Sequence, residues 1–73
     1  MSHINKIYSN YDLKNGTPLY YTIIYINEVR AGFDIYFGEN AECPIYHQPE
    51  PHIPNPNLSY EENAINMCKE LSE

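Results

Sequence analysis

The sequence predicts a small α+β domain, an antiparallel β-hairpin or three-stranded meander with one C-terminal α-helix packed on one face. Three observations carry this. A β-branched and aromatic run at about 19–27 is followed, after a short link, by an alternating run at 32–37. A proline-rich strap occupies 43–58, and residues 60–71 have helical periodicity behind a capping serine. At 73 residues the chain makes one domain, and one this short buries only about 60% of its unfolded surface.

Residues 3–8 are weakly apolar and read as a short edge strand or coil. Asn10, Asp12, Asn15-Gly16 and Pro18 then form a turn cluster, in which Gly supplies positive φ and Pro sets the turn geometry. Leu19-Tyr20-Tyr21-Thr22-Ile23-Ile24-Tyr25-Ile26 is the strongest strand, made of residue types that pack well on a pleated surface. After a link at 28–31 and Gly32, Phe33-Asp34-Ile35-Tyr36-Phe37 alternates until Gly38. Two such runs joined by a short link make a hairpin.

Pro44, Pro49, Pro51, Pro54 and Pro56 punctuate the strap. Each removes a backbone donor and bars helix at the residue before it, so the strap is extended, with a short strand at Ile45-Tyr46-His47 allowed and a central strand excluded. Ser59 precedes Glu62 at capping-box spacing, Glu61 and Glu62 place negative charge on the first turn, and Lys69 lies near the last. At 100° per residue Tyr60, Ala64, Met67, Cys68 and Leu71 form one stripe with Ile65 at its margin, and that stripe packs on the sheet.

Pairing Asn27 with Gly32 around a loop at 28–31 puts Thr22, Ile24, Ile26, Phe33, Ile35 and Phe37 under the helix. The opposite face then carries Tyr21, Ile23, Tyr25, Asp34 and Tyr36 beside Leu19, and we expect these five to bind a partner, with Glu28, Glu39 and Glu42 as an acidic rim. Tyrosine there offers apolar area together with a hydroxyl. The competing expectation is an ordinary second core layer, covered by the N-terminal segment and the strap. A one-residue slip in register exchanges the two faces.

Ten carboxylates against four cations give a net charge of −6. That disfavours direct nucleic-acid binding, which rests on Lys and Arg neutralising phosphates, and favours a protein partner with a basic surface. Met1-Ser2-His3-Ile4-Asn5-Lys6 lacks the apolar run of a signal peptide, and no stretch nears the ~20 apolar residues of a membrane span. A cytoplasmic protein with reduced Cys43 and Cys68 is the expectation.

No constellation argues for catalysis or a cofactor. Cys43, His47, His52 and Cys68 are zinc-ligand types, but they lack the close pairs of structural zinc sites. Cys43 and His47, with Glu42 and Glu50 nearby, are adjacent only in sequence. Neither an EF-hand nor a glycine-rich phosphate loop is present, and Pro51-His52-Ile53-Pro54 has polyproline-ligand spacing without a flanking cation.

The sequence therefore favours a non-enzymatic protein-binding module, by analogy of charge and size a small acidic inhibitor such as a phage-borne inhibitor of bacterial defence, which blocks a basic nucleic-acid-binding surface. The alternatives are a self-associating subunit that uses the tyrosine face for a homodimer and, least favoured, a small zinc-binding module.

Overall fold

The computed structural model describes residues 5–73, so the signal-peptide reading of residues 1–6 and the strand-or-coil reading of residues 3–8 lie partly outside it. Asn15 and Gly16 make the expected turn. Gly16 has a φ of +90°, its N–H donates to the Leu13 carbonyl at 2.9 Å, and the Leu13 N–H donates to the Thr17 carbonyl at 2.8 Å. This turn joins β1 (Ile7–Asp12) to β2 (Pro18–Ile26).

β1 was not expected to reach Asp12, because Asn10 and Asp12 read as turn residues. A bulge reconciles the two. Asn10 takes a φ of 70°, a conformation that Asn tolerates better than most residues, and the β1–β2 register shifts between Tyr8 and Asp12. Ser9, almost fully buried, donates its hydroxyl to the Leu19 carbonyl at 2.7 Å and accepts from the Tyr11 N–H at 3.2 Å. One side chain thus supplies bonds that the disrupted ladder loses.

β2 and β3 (Val29–Phe37) form the hairpin, and β4 (Tyr46–Pro49) adds to β3, giving an antiparallel meander of order β1-β2-β3-β4. The strap supplies β4 at the sheet's edge, where Pro49 is tolerated. It continues through a single 3-10 turn at Glu50–His52 into α1 (Tyr60–Ser72).

Ser59 caps α1 as expected, its Oγ accepting from the Glu62 N–H at 3.0 Å and donating to Glu62 Oε1 at 3.1 Å. Leu19, Tyr21, Phe33, Ile35, Ala64 and Cys68 form the core, with Ile23, Ile45, Ile53, Met67 and Leu71 packed around it. Removing a side chain as large as Phe33 from such a site costs about 3–5 kcal/mol. Extents of 36, 33 and 16 Å fit two layers, with one sheet face under the helix and the other lacking a helix among the described residues.

Candidate protein-binding site

The hairpin turn and the bulge beside it together decide where the expected strand residues lie. Ile26 pairs with Val29 across Asn27 and Glu28, whose φ values of 52° and 68° are those of a two-residue turn matched to strand twist. A bulge between Ile24/Tyr25 and the facing strand then makes Gly32 pair with Ile24 rather than with Asn27. The displacement is odd, and an odd displacement exchanges faces.

The expected common face is therefore corrected. Tyr21, Ile23 and Tyr25 lie on the helix side of the sheet, whereas Asp34 and Tyr36 lie on the outer side with Tyr20, Thr22 and His47. Tyr21 is a core residue at 5% exposure, and Tyr36 is buried at 3%. Burial first, then the Glu61 carboxylate, pushes the Tyr21 hydroxyl above its ordinary pKa. The predicted core face is corrected in the same way: Thr22 and Ile24 point outward, and Phe33 and Ile35 face α1 beside Leu19 and Tyr21.

The outer face is closed over Tyr36 by the chain itself. Lys6 Nζ stands 4.6 Å from the Tyr36 ring centroid and donates to the carbonyls of Glu39 and Ala41. Burial, and after it the charge of Asp34, raises the Tyr36 hydroxyl. Asp34 Oδ1 meets His47 Nδ1 at 2.7 Å, and Tyr8 lies with its ring centroid 5.4 Å from that of Tyr20. At Tyr36 one part of the expected covering is present, the N-terminal segment through Lys6, and the carbonyls that Lys6 bonds belong to residues before the strap.

At the hairpin end the edge of β2 has no neighbouring strand among the described residues. β1 meets β2 no further along than Tyr21, opposite Ile7, so among the described residues no strand pairs with that edge of Thr22–Ile26. A groove of about 470 Å³ follows this edge, with Ile7, Ile23, Tyr25 and Glu61 on the helix side and Asp34 and the buried Tyr36 in its outer wall. Four of the five expected residues, Ile23, Tyr25, Asp34 and Tyr36, thus line one groove, joined by an edge of the sheet instead of a face. Beyond it the hairpin tip exposes Tyr25, Ile26 and Val29 by 56%, 62% and 65%.

Charge around this end is negative. Arg30 lies 5.9 Å from the Tyr25 ring centroid and its Nη2 donates to Glu61 Oε2 at 2.8 Å, a bond that holds the Glu61 carboxyl below the ordinary carboxylate range. The expected acidic rim is divided: Glu28 is in the turn, whereas Glu39 and Glu42 follow the far end of β3, about 30 Å away at ~3.3 Å per strand residue.

The zinc-ligand types do not converge. Cys68 is in the core and Cys43 is exposed, His47 is bonded to Asp34, and no three His, Cys, Asp or Glu side chains gather among the described residues. His47 turns to Asp34 rather than to Glu42 or Glu50. The roles of Lys6 and Glu61 at the site had no local signal, since both act on residues some thirty positions away. No helix of the described residues is long and apolar enough to cross a membrane. Compared with known protein families, curated proteins and solved structures, the chain matches none.

Proposed function

We propose that this domain is a non-enzymatic protein-binding module, a small acidic inhibitor that occupies a basic, nucleic-acid-binding surface of its partner. The carrying observation is the open groove beside Thr22–Ile26, where apolar Ile7, Ile23 and Tyr25 lie between the carboxylates of Asp34 and Glu61. The exposed tip residues Tyr25, Ile26 and Val29 extend this apolar surface, and aromatic anchors ringed by charge suit a protein interface. Two of the four cations, Lys6 and Arg30, are engaged internally, so little positive charge opposes a basic partner. Such a field speeds encounter and selects against acidic partners. A phage-borne inhibitor of bacterial defence has this charge and size, and a cytoplasmic location with reduced thiols goes with it.

Affinity capture from the host lysate, run in parallel with an I26D/V29D variant, tests the proposal. A basic nucleic-acid-handling protein is expected with the native chain, released by excess DNA and lost with the variant. Capture of no such protein would sink it.

The exposed apolar tip also favours a second reading, a homodimer through the hairpin. Static light scattering separates the two, because a strict monomer at micromolar concentration excludes self-association.

A further inference from the structure

We propose that the outer edge of β2 between Thr22 and Ile26 binds an extended, Lys- or Arg-bearing segment of a partner protein as an added strand. This rests on the domain being a protein-binding module, and it names the mode and the chemistry of the bound segment.

Three observations converge on the edge. The first is backbone: β2 runs to Ile26, whereas its pairing with β1 reaches only Tyr21, so alternate N–H and C=O groups of Thr22–Ile26 point to a side with no strand among the described residues. Unpaired strand edges are templates for another strand. The second is the lack of protection. Natural edges are guarded by Lys, Pro, charge or brevity. β4 is short and ends in Pro49, whereas Thr22-Ile23-Ile24-Tyr25-Ile26 carries no charge and no proline.

The third is the pair of walls beside the edge. An added strand alternates its side chains between the two sides of the sheet. On the helix side they meet Ile7, Ile23 and Tyr25 with Glu61 beyond, and on the outer side they meet Thr22 and Ile24 with Asp34 beyond. Arg30 bonds Glu61 Oε2 and His47 bonds Asp34 Oδ1, and among the described residues neither carboxylate is paired with a second cation, so each can attract a cation on the incoming strand. A strand bearing apolar and basic residues fits both walls.

Charge also decides against a second copy as the occupant. Two chains, each of net charge −6, pairing edge to edge would bring Glu28, Asp34 and Glu61 towards their own equivalents, and like charges across strands destabilise pairing.

The test uses the full-length, ¹⁵N-labelled chain and three synthetic peptides: an alternating Lys-Val hexapeptide, its Glu-Val counterpart, and the Lys-Val peptide N-methylated at alternate residues. The Lys-Val peptide is expected to give saturable shifts and slowed amide exchange at Thr22–Ile26. The Glu-Val peptide should bind at least about ten-fold more weakly, and N-methylation should abolish binding by removing the strand's donors.

Equal binding of the Glu-Val or the N-methylated peptide overturns the proposal, as do shifts confined to β4. Edge amides already protected in the free monomer also overturn it, because the chain's own N-terminal residues then fill the edge. Shifts at Thr22–Ile26 that depend on protein concentration without peptide overturn it in favour of a second copy. If the host partner is captured yet leaves these amides unperturbed, strand addition fails while the protein-binding role stands. If the peptides do not bind and nothing basic is captured, both fail.

Discussion

Ile26 faces Val29 across a turn made of Asn27 and Glu28 alone. This pairing carries Tyr25, Ile26 and Val29 to an exposed tip, and the one-residue bulge that follows between Ile24 and Tyr25 places Tyr21 opposite Ile35 in the core. Both turn residues adopt positive φ, which costs little in Asn and more in Glu.

Glu28→Gly is therefore expected to stabilise the protein. Glycine accepts the φ of 68° without steric penalty, and Asn-Gly is the preferred pair for such turns. A gain of about 0.5–1 kcal/mol corresponds to a rise of roughly 2–8 °C in Tm for a domain of this size, readable by circular dichroism. An unchanged or lowered Tm would mean that the turn is not of this type.

Gly32→Ala should act in the opposite direction. Gly32 has a φ of +149° and pairs with Pro49, and a Cβ there would collide with the backbone carbonyl oxygen of Gln48. Backbone on β4 must shift, with a loss of about 1–3 kcal/mol. Amide exchange should speed up first in β4, and a variant with native β4 protection would contradict the close approach.

Asn63, nearly fully buried, ties the strap to the helix. Its Nδ2 donates to the carbonyls of Asn55 and Ser59 at 2.8 and 2.9 Å, and its Oδ1 accepts from the Asn55 N–H at 2.9 Å. Asn63→Ala leaves the Asn55 N–H without its partner, whereas the carbonyls of Asn55 and Ser59 keep the backbone N–H groups of Leu58 and Asn63, and with the lost side-chain bonds the cost is about 1–3 kcal/mol. Urea denaturation should show a marked fall in midpoint, whereas substitution of the exposed neighbour Asn66 should not.

The Arg30–Glu61 bond predicts a pH dependence. Glu61 is held below its ordinary pKa by Arg30, so the folded chain binds this proton less readily than the unfolded chain. The stabilisation is complete above the ordinary carboxylate range and is lost as pH falls through the folded-state pKa. Native protein and Arg30→Ala should therefore differ in Tm at neutral pH and converge on acidification. Because both side chains are partly exposed, added salt should narrow the gap as well. A difference that persists at low pH would assign the effect of Arg30 to its packing on Tyr25.

Much of the fold was legible because its signals are local. Ser59 and the following stripe announce α1, Asn15-Gly16 announces a turn, the aromatic and β-branched run announces β2, and the prolines confine β4 to an edge. Only the start of β1, at Ile7 and Tyr8, falls within the segment read as edge strand or coil, and the rest was hidden because its bulge relies on Ser9 bonding to Leu19, ten residues along the chain. The register was hidden for a different reason. β2 is apolar on both faces, so alternation shows that two faces exist without saying which one the helix covers.

By itself, then, the sequence determined the α+β class, the helix, the main strands and the negative charge, all of which follow from composition and from spacings of a few residues. The tertiary structure decided the faces and the site. Two residues of positive φ at Asn27 and Glu28, and a bulge before Gly32, displace the pairing by an odd number, which turns Tyr21 inward. They leave Ile23, Tyr25, Asp34 and Tyr36 around one edge. Side chains from opposite faces share a groove only where the sheet stops, and where it stops depends on how far β1 runs along β2.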